Sequence, residues 1–199
     1  GNTDWPHNNI QWWRYKGAPD ARRGPFDGRW RWIMFDVDRS FRVRPGGGGE
    51  DMVRHLFASE EEPWARELIR GIVAVPELRH ELIQRIAVHL STTFSANRVR
   101  RHIDSLAARI EPEIDAEFAR WHAPRNRDHW EAHISEMLAF ASNRPNRFRD
   151  HVVAYFDEVK GTAELEVAGL DGKGTVRLYS VPLEAGWPGV EIIGGTWRG

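Results

Sequence analysis

The stretch Trp30–Asp38, with the sequence WRWIMFDVD, ends an aromatic run with two aspartates. An apolar run of this kind predicts a β-strand, in which residues two positions apart face the same side. If the strand continues to its end, Asp36 and Asp38 lie side by side, roughly 6–7 Å apart. The alternative is that the strand ends earlier and that both aspartates belong to a solvated turn, since sequence patterns locate strand ends only approximately.

The spacing of the two aspartates predicts a chemical role for them. Two carboxylates at such a distance repel each other and raise each other's pKa unless a cation or solvent relieves them. Their hard oxygen atoms suit Mg2+ or Mn2+ rather than a soft metal. The stretch therefore predicts a divalent-metal site at Asp36 and Asp38.

A second motif, Asn2–Asn9 with the sequence NTDWPHNN, places Asn9 five positions after Asp4. Phosphoryl transfer to a hydroxyl needs one carboxylate for the hydroxyl proton, and an amide with a second carboxylate for the metal on the phosphates. In protein kinases the catalytic-loop aspartate and asparagine have this spacing, and a metal-binding aspartate follows downstream. The order and residue types fit phosphoryl transfer, although D-x4-N alone is a common pattern.

Together these segments resemble the CotH kinases of spore coats, an atypical protein-kinase family. The resemblance rests on N-x-D-W-P-x-N-N-I-x-W-W-R, on W-R-W-I-M-F-D-V-D-R-S-F, and on the tracts Ser95–Trp121 and His129–Ala132. It covers nearly the whole chain. It implies a kinase-like core that transfers phosphate from ATP to Ser or Thr of a protein substrate, with Mg2+ or Mn2+ as cofactor.

The resemblance also implies roles for single residues. Asp4 corresponds to the catalytic-loop aspartate and Asn9 to the metal-binding asparagine. Asp36 corresponds to the metal aspartate that replaces the one in D-F-G, so Asn9 and Asp36 would hold the metal-bound nucleotide. Asp38 is the second acid of D-x-D and a further metal ligand. The family further implies a spore-coat, secreted or cell-envelope location, with surface or coat proteins as partners.

The chain departs from a complete kinase in two ways. The insertion Tyr15–Gly28 lengthens the interval between the two motifs. Neither G-x-G-x-x-G nor G-x-x-x-x-G-K-[ST] occurs, and Gly46–Gly49 is typical of a flexible linker rather than a phosphate loop. A kinase needs a phosphate-covering loop and a strand lysine. We therefore expect a fragment that starts inside the catalytic loop and is inactive on its own for lack of an N-lobe.

Composition is that of an ordinary globular chain. Its 199 residues are 41% hydrophobic and 29% charged, enough for one domain or one domain with a small module. No run of 18 or more apolar residues occurs, so no membrane span is predicted. A net charge of −1 argues against a nucleic-acid partner. The absence of cysteine excludes disulfides and thiolate metal sites.

The ten tryptophans support a different hypothesis. Exposed indoles on a flat surface would stack on sugar rings, which makes a non-catalytic surface-binding module for polysaccharide or a protein partner the alternative function. The favoured interpretation is core packing, because Trp30 and Trp32 share a strand period with Met34. Exposure of the indoles and convergence of the aspartates distinguish these hypotheses.

The middle of the chain has helical periodicity. A capping box of Ser59 and Glu62 precedes Pro63, Ser95 begins a long helical segment, and Pro112 should kink or split that segment. Apolar residues at three- and four-residue intervals predict buried helix stripes. They are Leu78, Leu82, Ile86, Leu90, Val99, Ile103, Leu106, Ile110, Ile114, Phe118, Trp121, Trp130, Ile134, Met137, Leu138, Phe148, Val152 and Phe156.

From about Gly161 the apolar period changes to two. Alternation over residues 163–167 and 176–178 around Asp171-Gly172 predicts a β-hairpin, and another strand begins at Val190. The predicted fold is α+β and mainly helical. Residues 1–158 form a kinase-like C-lobe, with a β-rich active-site strip over 1–45 and a helical part over 50–158. Residues 161–199 form a small, truncated β-module.

Overall fold

The computed structural model describes residues 2–41, 49–61, 63–168, 176–179, 181–183, 192–193 and 196–198. The fold is α+β and mainly helical, which confirms the predicted class. The helices are α1 (Met52–Phe57), α2 (Pro63–Ala74), α3 (Pro76–Ser91), α4 (Ala96–Ile110), α5 (Ile114–Trp121) and α6 (Arg127–Tyr155). The strands are β1 (Ile10–Trp13), β2 (Arg31–Met34), β3 (Glu166–Val167), β4 (Val176–Leu178), β5 (Val181–Leu183), β6 (Ile192–Ile193) and β7 (Thr196–Arg198).

The hydrophobic core forms where α1 meets α2, α3 and α6. Its buried members are Val53, Phe57, Ile83, Val152 and Phe156. Helix α1 is only six residues long, too short for its periodicity to be read from sequence. The Asp51 carboxylate caps it by accepting from the backbone N–H groups of Val53 and Arg54. The core therefore depends on a helix that its neighbours stabilise more than its own sequence does.

Pro112 splits the long helical segment, as predicted. Helix α4 ends at Ile110, a 3-10 turn covers Glu111–Glu113, and α5 begins at Ile114. Proline has no N–H for a helical hydrogen bond, and its ring crowds the preceding turn. Ser95 occupies the N-cap position of α4. The capping box is not described in full, because Glu62 lies outside the described residues.

Strands β1 and β2 form an antiparallel hairpin that pairs Ile10 with Met34 and Trp12 with Trp32. The hairpin confirms a strand in the aromatic run, but the core-packing interpretation of its tryptophans is wrong. Trp30 is 63% exposed and Trp32 is 38% exposed. Alternation identifies an apolar face of a strand, whereas burial also requires another layer over that face. This face is open to solvent.

The C-terminal strands pair differently from the prediction. Strand β3 pairs with β7, and β4 pairs with β5, so among the described residues the β3 and β4 regions do not pair with each other as the predicted hairpin requires. Period-two alternation marks a strand but does not specify its partner. The turn residues Asp171-Gly172 and the strand start at Val190 lie outside the described residues. No described helix is long and apolar enough to cross a membrane.

Candidate active site

The β1–β2 hairpin carries both sequence motifs at its open end. Asn9 immediately precedes β1, and Phe35 immediately follows β2. The Phe35 N–H donates to the Asn9 carbonyl oxygen at 3.2 Å, which extends the pairing by one step. The Asn9 side-chain amide then donates to the Asp36 carbonyl oxygen at 3.3 Å. The hairpin register therefore joins two motifs that lie 27 positions apart.

Asn9 and Asp36 both adopt left-handed backbone conformations. Their φ angles are 58° and 53°. Asparagine and aspartate tolerate this region better than most residues, yet it still costs energy that the surrounding structure must offset. Such positions concentrate at functional sites. Here both left-handed residues are candidate metal ligands.

Asp36 and Asp38 do not lie side by side along a strand, so that expectation is wrong. Strand β2 ends at Met34, and Asp38 begins a 3-10 turn that extends to Ser40. The left-handed residue Asp36 redirects the chain into this turn. The structure agrees with the alternative from the sequence, in which the strand ends early and both aspartates lie in an exposed turn. This turn still brings the two carboxyl groups together.

The Asp38 side chain raises the pKa of the Asp36 carboxyl. A hydrogen bond with the Asp38 side chain is the main cause that raises the pKa of Asp36, and the negative charges of Asp38 and then Asp4 add to the effect. The positive charge of Arg39 acts in the opposite direction. Nearby negative charges disfavour ionisation of the Asp36 carboxyl. Asp4, Asp36, Asp38 and Arg39 thus form one electrostatic cluster, called the carboxylate cluster below.

Asp4 lies in a tight turn at one side of this cluster. Its N–H donates to the Asn2 side-chain oxygen at 3.1 Å, and its carbonyl oxygen accepts from the Asn8 N–H at 2.9 Å. Its two carboxylate oxygens accept from Nη1 of Arg39, at 3.1 and 3.0 Å. The structure therefore brings all four predicted site residues to one place and adds Arg39 to them.

The Asp4 turn is attached to the helical part through Trp5. His55 of α1 contacts the Trp5 carbonyl oxygen through Nε2, at 2.7 Å. A carbonyl oxygen only accepts, so Nε2 is the donor and carries a proton. Arg66 of α2 is fully buried and donates from Nε to the His55 carbonyl oxygen at 2.8 Å. Two helices thus hold the backbone beside Asp4.

Sequence reasoning missed Arg39, His55 and Arg66. Arg66 lies three and seven positions before Ile69 and Val73, which pack against the core, so an arginine on an apolar helix stripe was its only signal. Arg39 directly follows the D-V-D motif, where it has the appearance of an ordinary surface cation. Nothing in the pattern around His55 indicates its contact with Trp5, 50 positions away.

Aromatic side chains extend from the cluster along one face of the hairpin. The Trp32 ring lies 6.5 Å from the Trp5 ring and 5.6 Å from the Trp12 ring, between centroids. Trp12 is 54% exposed, and Met34 is exposed as well. The Ile10–Met34 pair, which is next to Asn9 and Phe35, connects this face to the carboxylate cluster. We call the exposed side chains Trp12, Trp30, Trp32 and Met34 the indole face.

The long connection between the two motifs is organised around Arg31. Its guanidinium binds both oxygens of Asp27, at 2.8 and 2.9 Å, and also donates to the carbonyl oxygens of Gly24 and Pro25. The hydrogen bond from Arg31 is the main cause that lowers the pKa of Asp27. The insertion is therefore a folded loop, and part of its positive charge is neutralised locally.

The donor atoms of the cluster fit a hard divalent cation. Asn9 uses its amide nitrogen toward Asp36, which leaves its side-chain oxygen for a metal, and the crowded Asp36 and Asp38 carboxyls would be relieved by positive charge. Within the described parts of the chain, however, no three Asp, Glu or His side chains form a ready metal cage. Asp4 is instead engaged by Arg39.

Comparison with protein families identifies a relationship for most of the chain. A family model described as CotH kinase protein matches residues 1–148. The chain belongs to the CotH kinase family. The matched span contains the hairpin, the carboxylate cluster and most of the helical part, and it stops within α6, before strands β3–β7. Searches against curated proteins and against solved structures found no match.

Proposed function

We propose that this CotH-family chain supplies the catalytic and metal-binding side chains for metal-dependent transfer of phosphate from ATP to Ser or Thr of a protein substrate. Family membership supports a kinase-like function. The observation that carries the finer proposal is the convergence of Asp4, Asn9 and Asp36 at the open end of the hairpin. A proton-accepting carboxylate beside an amide and a second carboxylate is the set of side chains that phosphoryl transfer requires.

Each side chain then has a defined task. Asp4 orients the substrate hydroxyl and accepts its proton. Asn9 and Asp36 hold the divalent cation, and Asp38 supplies a further oxygen ligand. Mg2+ or Mn2+, when bound, neutralises charge on the phosphates of ATP.

The Asp4 carboxylate is positioned by the contacts that join Trp5 to helices α1 and α2. Phosphoryl transfer depends mainly on geometry and electrostatics, so a carboxylate displaced by about 1 Å loses much of its effect. The contact between His55 and the Trp5 carbonyl fixes the residue next to Asp4. The buried Arg66 holds the backbone of His55 in turn. Residues remote from the cluster therefore contribute to its precision.

The indole face supplies a surface for the nucleotide base. Trp12, Trp32 and Met34 are exposed and continuous with the cluster through the Ile10–Met34 pair. A planar base stacks favourably on such aromatic and thioether groups. With the base on this face, the phosphates would extend toward Asn9 and Asp36.

The test separates nucleotide binding from phosphate transfer. Binding of ATP in the presence of Mn2+ is measured by calorimetry, and transfer is measured with labelled ATP and an acceptor protein. We expect Asp36→Asn to lose both and Asp4→Asn to retain binding but lose transfer. Asp104→Asn changes an exposed aspartate of α4 and is the matched control. Wild-type behaviour of Asp36→Asn in both assays would contradict the proposal.

The location and partners follow from the family alone. CotH membership supports association with the spore coat, or a secreted or envelope location, with coat or surface proteins as substrates and partners. Fractionation of the producing cells with an antibody against the chain tests this location. Recovery only in the cytoplasmic fraction would contradict it.

A second function is favoured by one observation, the exposure of Trp12, Trp13, Trp30 and Trp32. Such a surface suits a non-catalytic module that binds polysaccharide or a protein partner. In that case Trp30→Ala should abolish retention on a polysaccharide resin, and Asp36→Asn should not affect it. Equal retention of wild type and Trp30→Ala would exclude this function for the indole face.

A further inference from the structure

We propose that Arg39 is a built-in counter-ion of the carboxylate cluster, which holds Asp4 in the metal-free protein and is displaced when a divalent cation binds. This inference rests on the metal site of the proposed function, and it adds that Arg39 competes with the metal ion for that site. Nothing in the sequence motifs assigns a role to Arg39.

Arg39 forms a direct ion pair with Asp4. Nη1 of Arg39 reaches both carboxylate oxygens of Asp4, at 3.1 and 3.0 Å. The two residues are separated by 35 positions, so the pair joins the Asp4 turn to the turn that follows Asp36. While this contact lasts, the same oxygens have less capacity to accept a substrate hydroxyl proton or to contact a hydrated metal ion.

The charges of the cluster explain why a cation resides there. Asp4, Asp36 and Asp38 carry three carboxyl groups, and among the described residues Arg39 pairs with Asp4 and acts electrostatically on Asp36. Like charges at close range need a positive partner. A divalent ion held by Asn9, Asp36 and Asp38 supplies twice the charge of a guanidinium and repels it, so the ion and Arg39 compete electrostatically for the carboxylate cluster.

The local structure permits the exchange. The Arg39 side chain is 59% exposed and lies on a short 3-10 turn, Asp38–Ser40, with no buried residue. Exposed ion pairs contribute little net stability, so opening this one costs little. The absence of a ready three-ligand cage in the described residues agrees with a cluster in which Asp4 is held by Arg39.

A purely structural role for Arg39 predicts the opposite effect on metal binding. If Arg39 only joins the two turns, its removal loosens the cluster and weakens the affinity for a cation. If Arg39 competes with the cation, its removal strengthens that affinity. The sign of the change therefore distinguishes the two roles.

The experiment measures Mn2+ affinity without nucleotide, from the free-ion signal in electron paramagnetic resonance. We expect Arg39→Gln to bind Mn2+ roughly two- to five-fold more tightly than wild type, as the loss of an exposed ion pair allows. Arg39→Lys, which keeps the charge, should lie between the two. Arg22→Gln is the control, because Arg22 is an exposed arginine that pairs with Asp20 outside the cluster.

The outcomes separate this inference from the proposed function. Unchanged or weaker Mn2+ binding by Arg39→Gln, with circular dichroism showing a folded protein, would overturn the counter-ion role. If Arg39→Gln does not fold, weaker Mn2+ binding by Arg39→Lys than by wild type overturns it instead. Absence of Mn2+ binding in every variant overturns both proposals. A gain in affinity without any phosphate transfer supports the counter-ion and contradicts only the kinase activity.

Discussion

Asn9 and Asp36 meet at the open end of the β1–β2 hairpin, where the Asn9 side-chain amide donates to the Asp36 carbonyl oxygen at 3.3 Å. This contact follows from the register that pairs Ile10 with Met34. A slip of one residue would turn the side chains to the opposite face and separate the two motifs. The aromatic strands thus determine the geometry of the carboxylate cluster.

The first prediction concerns the left-handed backbone of Asn9. Asn9→Gly removes the side-chain ligand but suits a φ of 58°, whereas Asn9→Ala removes the ligand and strains the backbone. We expect Asn9→Ala to be less stable than Asn9→Gly by about 1 kcal/mol in urea unfolding. Both should lose Mn2+-dependent ATP binding. Equal stability of the two variants would show that this backbone conformation is not strained.

The second prediction concerns Asp36→Ala in the absence of metal. The substitution removes one of the crowded carboxyls from an exposed position and empties no core. We expect the fold to be kept, thermal stability to change little because relief of the carboxyl crowding offsets the cost of alanine at a φ of 53°, and metal-dependent phosphate transfer to be lost. Differential scanning calorimetry and circular dichroism check the first two points. Unfolding of this variant would identify Asp36 as a structural residue.

The third prediction concerns pH. The pKa of Asp36 is raised above its ordinary value of 3.8, so the folded state binds its proton more tightly than the unfolded state. By linkage, this group favours folding at low pH, and its contribution is lost as pH rises from 3.8 through the folded pKa. Protons also compete with metal for Asp36, so Mn2+ binding should weaken as pH falls through the same window. The free energy of unfolding of Asp36→Asn should lack this component of the pH dependence. If the stability of Asp36→Asn varies with pH as that of the wild type does, the prediction is contradicted.

The fourth prediction concerns the anchor at Arg66. Arg66→Ala removes a fully buried guanidinium that donates to the His55 carbonyl oxygen, and it leaves a cavity and an unpaired acceptor. We expect a loss of about 2–4 kcal/mol in the free energy of unfolding. Arg85→Ala, which breaks an exposed pair with Glu81, should cost less than about 1 kcal/mol. Comparable losses in the two variants would mean that Arg66 is not an anchor.

The sequence contained enough information for the position of the hairpin and for the mainly helical fold. The aromatic run predicted β2, and Pro112 predicted the break between α4 and α5, because both signals are local. The convergence of Asp4, Asn9 and Asp36 was accessible only through resemblance to a family. No local rule states that two motifs on separate strands share one end of a hairpin.

Other features depended on long-range contacts that local patterns do not encode. The exposure of Trp30 depends on whether another layer covers the hairpin, and the pairing of β3 with β7 depends on a distant strand. The buried Arg66 contradicts the usual preference of arginine for the surface. Its burial becomes understandable only once the His55 carbonyl is seen beside it.

The central claim is that the carboxylate cluster binds a divalent cation, and Mn2+ titration followed by nuclear magnetic resonance tests it most directly. Mn2+ broadens resonances of nearby nuclei, so the site of binding is read residue by residue. We expect substoichiometric Mn2+ to broaden the side-chain amide of Asn9 and the backbone amides of residues 4–9 and 35–39 first, and Asp36→Asn to abolish this broadening. Broadening that begins elsewhere, or that persists in Asp36→Asn, would contradict a metal site at this cluster.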